Sequence, residues 1–538
     1  MAVLLELTAN GRDTVSRDDL NSAVWPRGYV TDDALTRCIS QLRQALGDDP
    51  KEPAFISTVP RKGYRLVAQV DLQGMDLSEE DLLVLPFQHL SASGEDSYLS
   101  DSLTELLIAR LSVALEQPVI SRTTAMSFRN TDRDMASIKE QLGVKWVVEG
   151  SLMQAKDQLQ IIVQLIDAPN DTHVWAETWV RPVSDVLTVL NEISRLISAE
   201  ISSKLKPETE STLEVDYSLP PDVLRQYLHG VQLNSQRTHK SLQDAIGLFG
   251  KVLRDRPDFA PALSASAMSN VLLAHYSAIP VEEGFTRARE LAEQALKLDP
   301  GLADASLHLA AIKFHFDWDF KGAKEITRGA LVANPNLEMG QILMANCLII
   351  FNQSERALNC VSRAETQDPL NSGLLMNTGD HLILQQRYPE AINSLTAAIE
   401  LNPAFRPAIL RLAIAHAFNG DQQQACAYLD RAAETGGQDK FYLEFAAIVA
   451  GQAGDAEAAK EAADRLEEMA QQGTDILPWS LARAWASAGD PDKAIRYLQK
   501  AYETRSSSMP FLGKTPVFAS IRQRPEVQEI MKKVGLTI

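Results

Sequence analysis

The chain has 538 residues, 45% of them hydrophobic and 23% charged, enough for several packed domains and outside the compositions of disordered chains. Its longest apolar runs, such as Leu82–Phe87, fall far short of the roughly 18 residues that cross a bilayer, and no basic leader with a cleavage pattern opens it, so neither a membrane segment nor a secretory signal is expected. The net charge of −19 opposes a polyanionic partner, yet residues 1–70 hold nine Lys/Arg against nine Asp/Glu, so the acid excess lies in the remainder and only locally clustered cations are available to nucleic acid. Cys38, Cys347, Cys360 and Cys426 show no CxxC or disulfide spacing, which implies a reducing, cytoplasmic setting.

Taken in chain order, the first patterned stretch runs from Val15 to Leu66. Ser16 is placed to cap a helix, with Asp19 reaching back, and Leu20, Val24 and Trp25 line one face before Pro26 and Gly28 break it. A second helix starts at Thr31 or Asp32. In it Leu35, Ile39, Leu42 and Leu46 form a core stripe, so Thr36, Arg37, Ser40, Gln41, Arg43 and Gln44 are expected outward. Phe55–Val59 and Tyr64–Ala68 read as two short strands joined by a cationic tip, Pro60-Arg61-Lys62-Gly63. Cys38 beside the stripe reads as a small, partly buried hydrophobe, and Trp25 and Tyr64 as core aromatics.

The blocks Val-Ser-Arg-Asp-Asp-Leu (15–20), Ala-Val-Trp-Pro (23–26), Thr-Asp-Asp-Ala-Leu-Thr-Arg-Cys-Ile-Ser-Gln-Leu-Arg (31–43) and Ile-Ser-Thr-Val-Pro-Arg-Lys-Gly-Tyr-Arg-Leu (56–66) together resemble the winged helix-turn-helix domain of OmpR/PhoB-type bacterial regulators. The resemblance implies double-stranded DNA as a partner. Thr36, Arg37, Ser40, Gln41 and Arg43 would then meet the major groove, and Thr58, Arg61 and Lys62 would form the wing contacts to phosphates or the minor groove. One departure stands out: such domains open with a small sheet and a full helix before the motif, and of these only Met1–Leu7 remain. The start is therefore read as set too far downstream, and Val3, Leu4, Leu5 and Leu7 are expected to be exposed and to leave the domain marginal. No receiver domain with a phosphoacceptor aspartate accompanies the motif.

Residues 79–205 follow a βαβαβββα order: a strand at Leu82–Phe87, a helix capped by Asp101 with Leu103, Leu106, Leu107 and Leu111 inward, a strand at Pro118–Ser121, a helix carrying Ile138 and Leu142, and strands near Trp146–Met153, Leu159–Asp167 and His173–Trp179. The phrases Val-Leu-Pro-Phe (84–87), Leu-Gly-Val-Lys-Trp-Val-Val-Glu-Gly-Ser (142–151) and Trp-Ala-Glu-Thr-Trp (175–179) resemble the TolB-amino-terminal-like domain, a module that also accompanies adenylate cyclases, though no cyclase catalytic segment is present.

Lys206–Ser218 is polar and acidic and reads as a linker. Beyond it, over 219–538, a small-x3-bulky-x2-small-x4-Pro pattern recurs at Ala288, Ala323, Ala357 and Ala391, with weaker copies from Ala245, Ala425, Ala459 and Ala494. The starts are 34 or 35 residues apart after a first gap of 43, which places an insertion around His275–Glu283. That period is the one of tetratricopeptide repeats. Ala311, Ala345, Gly379 and Ala413 stand where paired helices should approach most closely, and Trp318, Phe320, Phe351, Tyr388, Trp479 and Trp485 read as packing residues. The fold class expected is multidomain: a shortened α+β winged helix, a small α/β domain, then an all-α tetratricopeptide superhelix.

His308 and His315 with Asp317 and Asp319 lack dense ligand spacing, so no metal is expected, and no other cofactor. There is no nucleophile-base-acid pattern, phosphate loop or HExxH motif, so the chain is not expected to be an enzyme. The expected function is DNA-binding transcriptional regulation, with the α/β and repeat regions receiving a signal or a protein partner; homo-oligomerisation stays open. The order of winged helix and repeats also resembles HilA-type invasion regulators. The alternative is a repeat scaffold whose winged helix no longer binds DNA.

Overall fold

The computed structural model describes residues 14–24, 32–49, 53–60, 62–67, 81–90, 97–115, 117–129, 135–155, 158–201, 219–276 and 278–536, together with Val3 and Leu7. The linker at 206–218, Trp25 and Arg61 lie outside them.

The first unit contains β1 (Val15–Ser16), α1 (Arg17–Val24), α2 (Asp32–Leu46), β2 (Ile56–Val59) and β3 (Gly63–Leu66). Ser16 caps α1 as its sequence implies: its hydroxyl accepts the Asp19 N–H at 3.0 Å and donates to the Asp19 carboxylate at 2.8 Å. β2 and β3 pair antiparallel with Val59 opposite Gly63, and β1 adds to β3 with Ser16 opposite Gly63. A side chain at Gly63 would meet the Val15 carbonyl at 1.9 Å on a backbone with φ +149°, so only glycine lets β1 close this sheet. The core is Leu20, Leu35, Ile39, Ile56, Tyr64 and Leu66, and it takes in Val3 and Leu7 as well. Both are helical and buried, which corrects the expectation that they would be exposed, because their side chains join this core; Leu4 and Leu5 lie outside the described residues.

The second unit has β4 (Leu82–Val84), β5 (Gln88–His89), α3 (Ser97–Ala114), α4 (Arg122–Ser127), α5 (Met135–Leu142), β6 (Trp146–Ala155), β7 (Gln158–Asp167), β8 (Thr172–Pro182) and α6 (Val186–Ile201). The sheet order is β4-β6-β7-β8, with β4 parallel to β6 and the other neighbours antiparallel. Leu159, Ile161, Val163 and Leu165 pack with Leu103, Leu107 and Leu111 of α3 and with Leu190, Ile193 and Ile197 of α6 in one core. Asp101 is not the cap of α3: the helix begins four residues earlier, at Ser97, and Asp101 is buried in its second turn, paired with Arg129.

The array comprises, among the described residues, eight antiparallel helix pairs: α7 (Pro221–Ser235) with α8 (His239–Asp255), α9 (Ala260–His275) with α10 (Val281–Leu298), α11 (Ala303–Ile312) with α12 (Phe320–Ala333), α13 (Glu338–Ile350) with α14 (Ser354–Gln367), α15 (Ser372–Leu384) with α16 (Tyr388–Leu401), α17 (Arg406–Phe418) with α18 (Gln422–Gly436), α19 (Lys440–Gln452) with α20 (Ala456–Gln471), and α21 (Pro478–Ser487) with α22 (Pro491–Glu503); α23 (Pro525–Val534) follows. Aspartates at 319, 421, 455 and 490 cap second helices of four pairs, each accepting a backbone N–H three residues on. Ala345, Gly379 and Ala413 are buried at the close approaches, whereas Ala311 is only half-buried and Ala310 beside it takes the buried place. There the helix ends in a π turn, Lys313–Asp317, and Trp318 follows with φ +61°.

Contacts among the described residues join these units. The Ser102 hydroxyl donates to the Leu228 carbonyl at 2.7 Å, and the Thr124 N–H and hydroxyl both donate to Asp368 at 2.8 and 2.7 Å, fastening the α/β unit to α7 and to the end of α14. Lys324 of α12 reaches Asp19 of α1 at 3.1 Å. The array also closes on itself across nearly 200 residues: Arg505 donates to the Phe316 carbonyl at 2.7 Å and lies 4.5 Å over the Trp318 ring, and His315 Nδ1–H donates to Ser507 O at 3.1 Å.

Candidate nucleic-acid interface

The sequence of α2 divides its surface. Leu35 and Ile39 are buried, while Thr36, Arg37, Ser40 and Gln41 are exposed on the side away from the core, as the 3.6-residue period requires. The hairpin β2–β3 stands beside this helix. Thr58 is exposed on β2, and Lys62 is exposed in the turn, where its N–H donates to the Val59 carbonyl at 3.0 Å.

Arg43 departs from expectation. Its side chain is only 12% exposed and turns from the helix surface toward the hairpin. There it donates to the Ile56 carbonyl at 2.7 Å and to the Thr58 hydroxyl at 3.0 Å. Asp48, 3.9 Å from Arg43, is fully buried and accepts three backbone N–H groups, those of Ala54 at 2.7 Å, Phe55 at 2.9 Å and Ile56 at 2.8 Å. Burial by itself would raise the Asp48 carboxyl. The N–H groups of Ile56, Phe55 and Ala54, aided by the Arg43 guanidinium, outweigh it and hold the group below the usual carboxylate range. Arg43 and Asp48 together form a buckle that fixes the angle between α2 and the hairpin.

Two further cations belong to this surface and were not singled out from the sequence. Arg65 is exposed on β3 between the buried Tyr64 and Leu66, a position that strand alternation marks as outward. Arg17 donates to the Tyr64 hydroxyl at 3.1 Å and lies 5.3 Å over its ring, bracing the hairpin from α1. Asp19 is turned toward the array instead. Its burial raises the carboxyl, but Lys324, Ser16 and Arg356 together bring it below its ordinary value.

The arrangement is an exposed polar helix face of Arg, Gln, Ser and Thr next to a cationic hairpin, a shape that suits base edges in a major groove and the phosphates flanking it. Among the described residues no group of three or more His, Cys, Asp and Glu is arranged to hold a metal ion, and no helix is long and apolar enough to cross a membrane.

These features define a winged-helix unit of the kind found in bacterial regulators, joined to an α/β unit and a tetratricopeptide array. Comparison with known proteins says the same module by module. Residues 1–66 match the family described as transcriptional regulatory protein, C terminal; residues 78–194 match the second domain of HilA/YgeH-like transcriptional regulators; residues 351–404, 385–440 and 446–510 match tetratricopeptide repeats. The second match covers the segment whose phrases resemble a TolB-amino-terminal-like domain.

Among curated proteins, the chain is 25% identical over 305 residues to the transcriptional regulator HilA of Salmonella typhimurium, covering 55% of this chain and 53% of that one. It is 28% identical over 225 residues to the putative adenylate cyclase 3 of Rhizobium meliloti, 41% of this chain and 38% of that one. It is also 36% identical over 85 residues to the transcriptional activator CadC of Escherichia coli, 16% of this chain and 17% of that one. The chain thus spans about half the length, or less, of the curated relatives it matches.

Proposed function

We propose that the protein is a transcriptional regulator that holds promoter DNA with α2 and the β2–β3 hairpin and receives a signal or a protein partner through the α/β unit and the repeat array. The observation that carries this reading is the division of α2 into a buried stripe and an exposed face of Thr36, Arg37, Ser40 and Gln41 beside the exposed Lys62. Arg37 and Gln41 have the donors and acceptors to read base edges. Thr36 and Ser40 suit sugar-phosphate contacts, and Lys62, with Arg61 next to it in the sequence, suits phosphates beyond the groove. Arg43 and Thr58 are positioning residues in this scheme. Their mutual bond at 3.0 Å holds helix and hairpin at one angle, so that both meet the duplex at once. The protein acts by binding, without turnover, and works in the cytoplasm.

The test uses the full chain and a library of duplexes from which the preferred sequence is selected. Replacing Arg37 or Gln41 by Ala should cost about 1–3 kcal/mol of discrimination at one base pair each, while binding to unrelated duplexes changes little. A chain that holds all duplexes with one affinity, unaffected by either substitution, would overturn the reading and leave the repeat scaffold in its place.

A further inference from the structure

β8 is the outer strand of the α/β sheet, and among the described residues it pairs with β7 alone. It is 11 residues long and exposed along both faces apart from Trp175 and Trp179; Val180 is 54% exposed. A strand of this kind presents a row of backbone N–H and C=O groups to any passing strand, and proteins usually blunt it with lysine, proline or a bulge. Here the guards stand at the ends. A register shift between Leu165 and Ile166 distorts the half of β8 that begins at Thr172, and Pro182 closes the other end. The stretch Ala176–Arg181 between them pairs regularly with Gln164–Leu159 and contains neither lysine nor proline.

This stretch is complementary to itself. Glu177 and Arg181 are exposed, lie on one face four residues apart, and flank Trp179 symmetrically. A second copy laid antiparallel and turned about Trp179 sets Glu177 opposite Arg181 twice and Thr178 opposite Val180 twice, both favourable cross-strand pairs. Turned about Glu177 instead, it would set carboxylate against carboxylate. We infer that β8 is a homodimerisation edge, at which two copies of this chain join their sheets into one continuous sheet through a two-fold axis at Trp179. The interface is isologous, so each charge is met by the same pair of residues used in reverse. Because a pairing of about five residues per copy covers less than the ~1,200 Å² of a stable interface, the dimer forms reversibly with concentration.

Sedimentation equilibrium on the full chain tests this. The mass should rise from 59.3 kDa toward twice that value as concentration increases. Glu177→Arg, which sets guanidinium against guanidinium, should weaken the dimer about tenfold, and Arg181→Glu should do the same. The double reversal Glu177→Arg/Arg181→Glu should restore it, because each pair is rebuilt with its signs exchanged. Both side chains are exposed, and among the described residues the one side-chain bond either makes, from Arg181 to the Val180 carbonyl next to it at 3.1 Å, ties it to no other element, so thermal melting should be unchanged throughout. A mass independent of concentration, a dimer that ignores the single reversals, or a double reversal no better than the singles would overturn the inference.

Discussion

Replacing Asp48 by Asn should loosen the hairpin from α2. In the native chain Asp48 Oδ1 accepts the N–H groups of Ala54 and Phe55 and Oδ2 accepts that of Ile56 at 2.8 Å, with the side chain fully buried. An amide keeps one acceptor oxygen for the first two but turns NH2 toward the third, leaving a donor facing a donor. Losing a hydrogen bond to a charged acceptor and stranding a buried N–H costs about 3 kcal/mol, a large share of the roughly 5–15 kcal/mol a domain has. The cost should appear locally: amide exchange at Ala54, Phe55 and Ile56 should speed up by about a hundredfold, with exchange in the repeat array unchanged. DNA affinity should fall as well, since Arg43 loses the partner that steadies it. Because the Asp48 carboxyl is held below its ordinary value, its contribution is fully present above the usual carboxylate range and is lost as pH falls through the folded value. That acid loosening of the hairpin should vanish in Asp48→Asn. Native protection of the three amides in the variant would refute the buckle.

Alanine at both Arg61 and Lys62 should weaken binding to every duplex and flatten the dependence of log affinity on log salt by roughly 0.9 for each phosphate the hairpin no longer neutralises; an unchanged slope in a titration series removes the hairpin from the interface. At Gly379 a side chain would begin 2.5 Å from Leu395 Cγ, so Gly379→Leu should cost about 1–3 kcal/mol or more by overpacking and lower the melting of the array, with DNA affinity nearly intact; an unshifted melting curve would show that the two helices have room. Burial, with His275 from α9 facing it, pushes the His315 pKa down to about 3 although the Ser507 carbonyl acts in the opposite direction. The other charges about this turn are paired or bound, Lys313 with Asp319 and Asp317 with Arg289, both at 2.7 Å, and Arg505 to the Phe316 carbonyl. His315 is therefore neutral in the closed array, whose stability is intact above the ordinary histidine value of about 6.5 and declines as pH falls below it. Protection factors around Phe314–Trp318 and Ser506–Phe511 should fall from pH 7 to pH 5, and equal protection at both would refute the assignment.

How far the sequence reaches depends on how local the determining interaction is. Leu35 and Ile39 declare the buried side of α2 because helical periodicity is written in neighbouring residues, and Gly379 is visible because a 34-residue period returns it to the same place in each repeat. Arg43 sits at an outward position on the helical wheel, but its side chain is long, and where it ends is decided by a carbonyl and a hydroxyl 13 and 15 residues away. β1 has two residues, too few for alternation to show. Asp101 carries the chemistry of a cap, and only the tertiary burial that lets Ser97 start the helix makes it an interior residue paired with Arg129. The clasp of Arg505 and Ser507 on Phe316 and His315 joins residues nearly 200 apart, and no pattern in either segment announces the other.

The same distinction resolves the charge of the winged helix. Equal numbers of cations and anions in residues 1–70 describe a neutral object only if the charges are mixed, and two of the described carboxylates are drawn away from the exposed helix and hairpin face, though Asp49 stays exposed. Asp48 is sealed beneath the hairpin, where three backbone N–H groups take up its charge, and Asp19 is turned to the repeat array, where Lys324 meets it at 3.1 Å. Arg37, Lys62 and Arg65 stay exposed on the helix and hairpin. Asp48 takes Arg43 in with it, but Asp19 is met by a cation of the array and so leaves one cation of its own unit unbalanced; within a screening length of about 8 Å it is that local imbalance, not the −19 of the whole chain, that an approaching phosphate meets. Asp19 also lies in the first turn of α1, whose cap is Ser16, the residue paired through β1 with Gly63 of the hairpin. Lys324 of α12, in the third repeat, therefore meets the helix whose cap is tied through β1 to the hairpin.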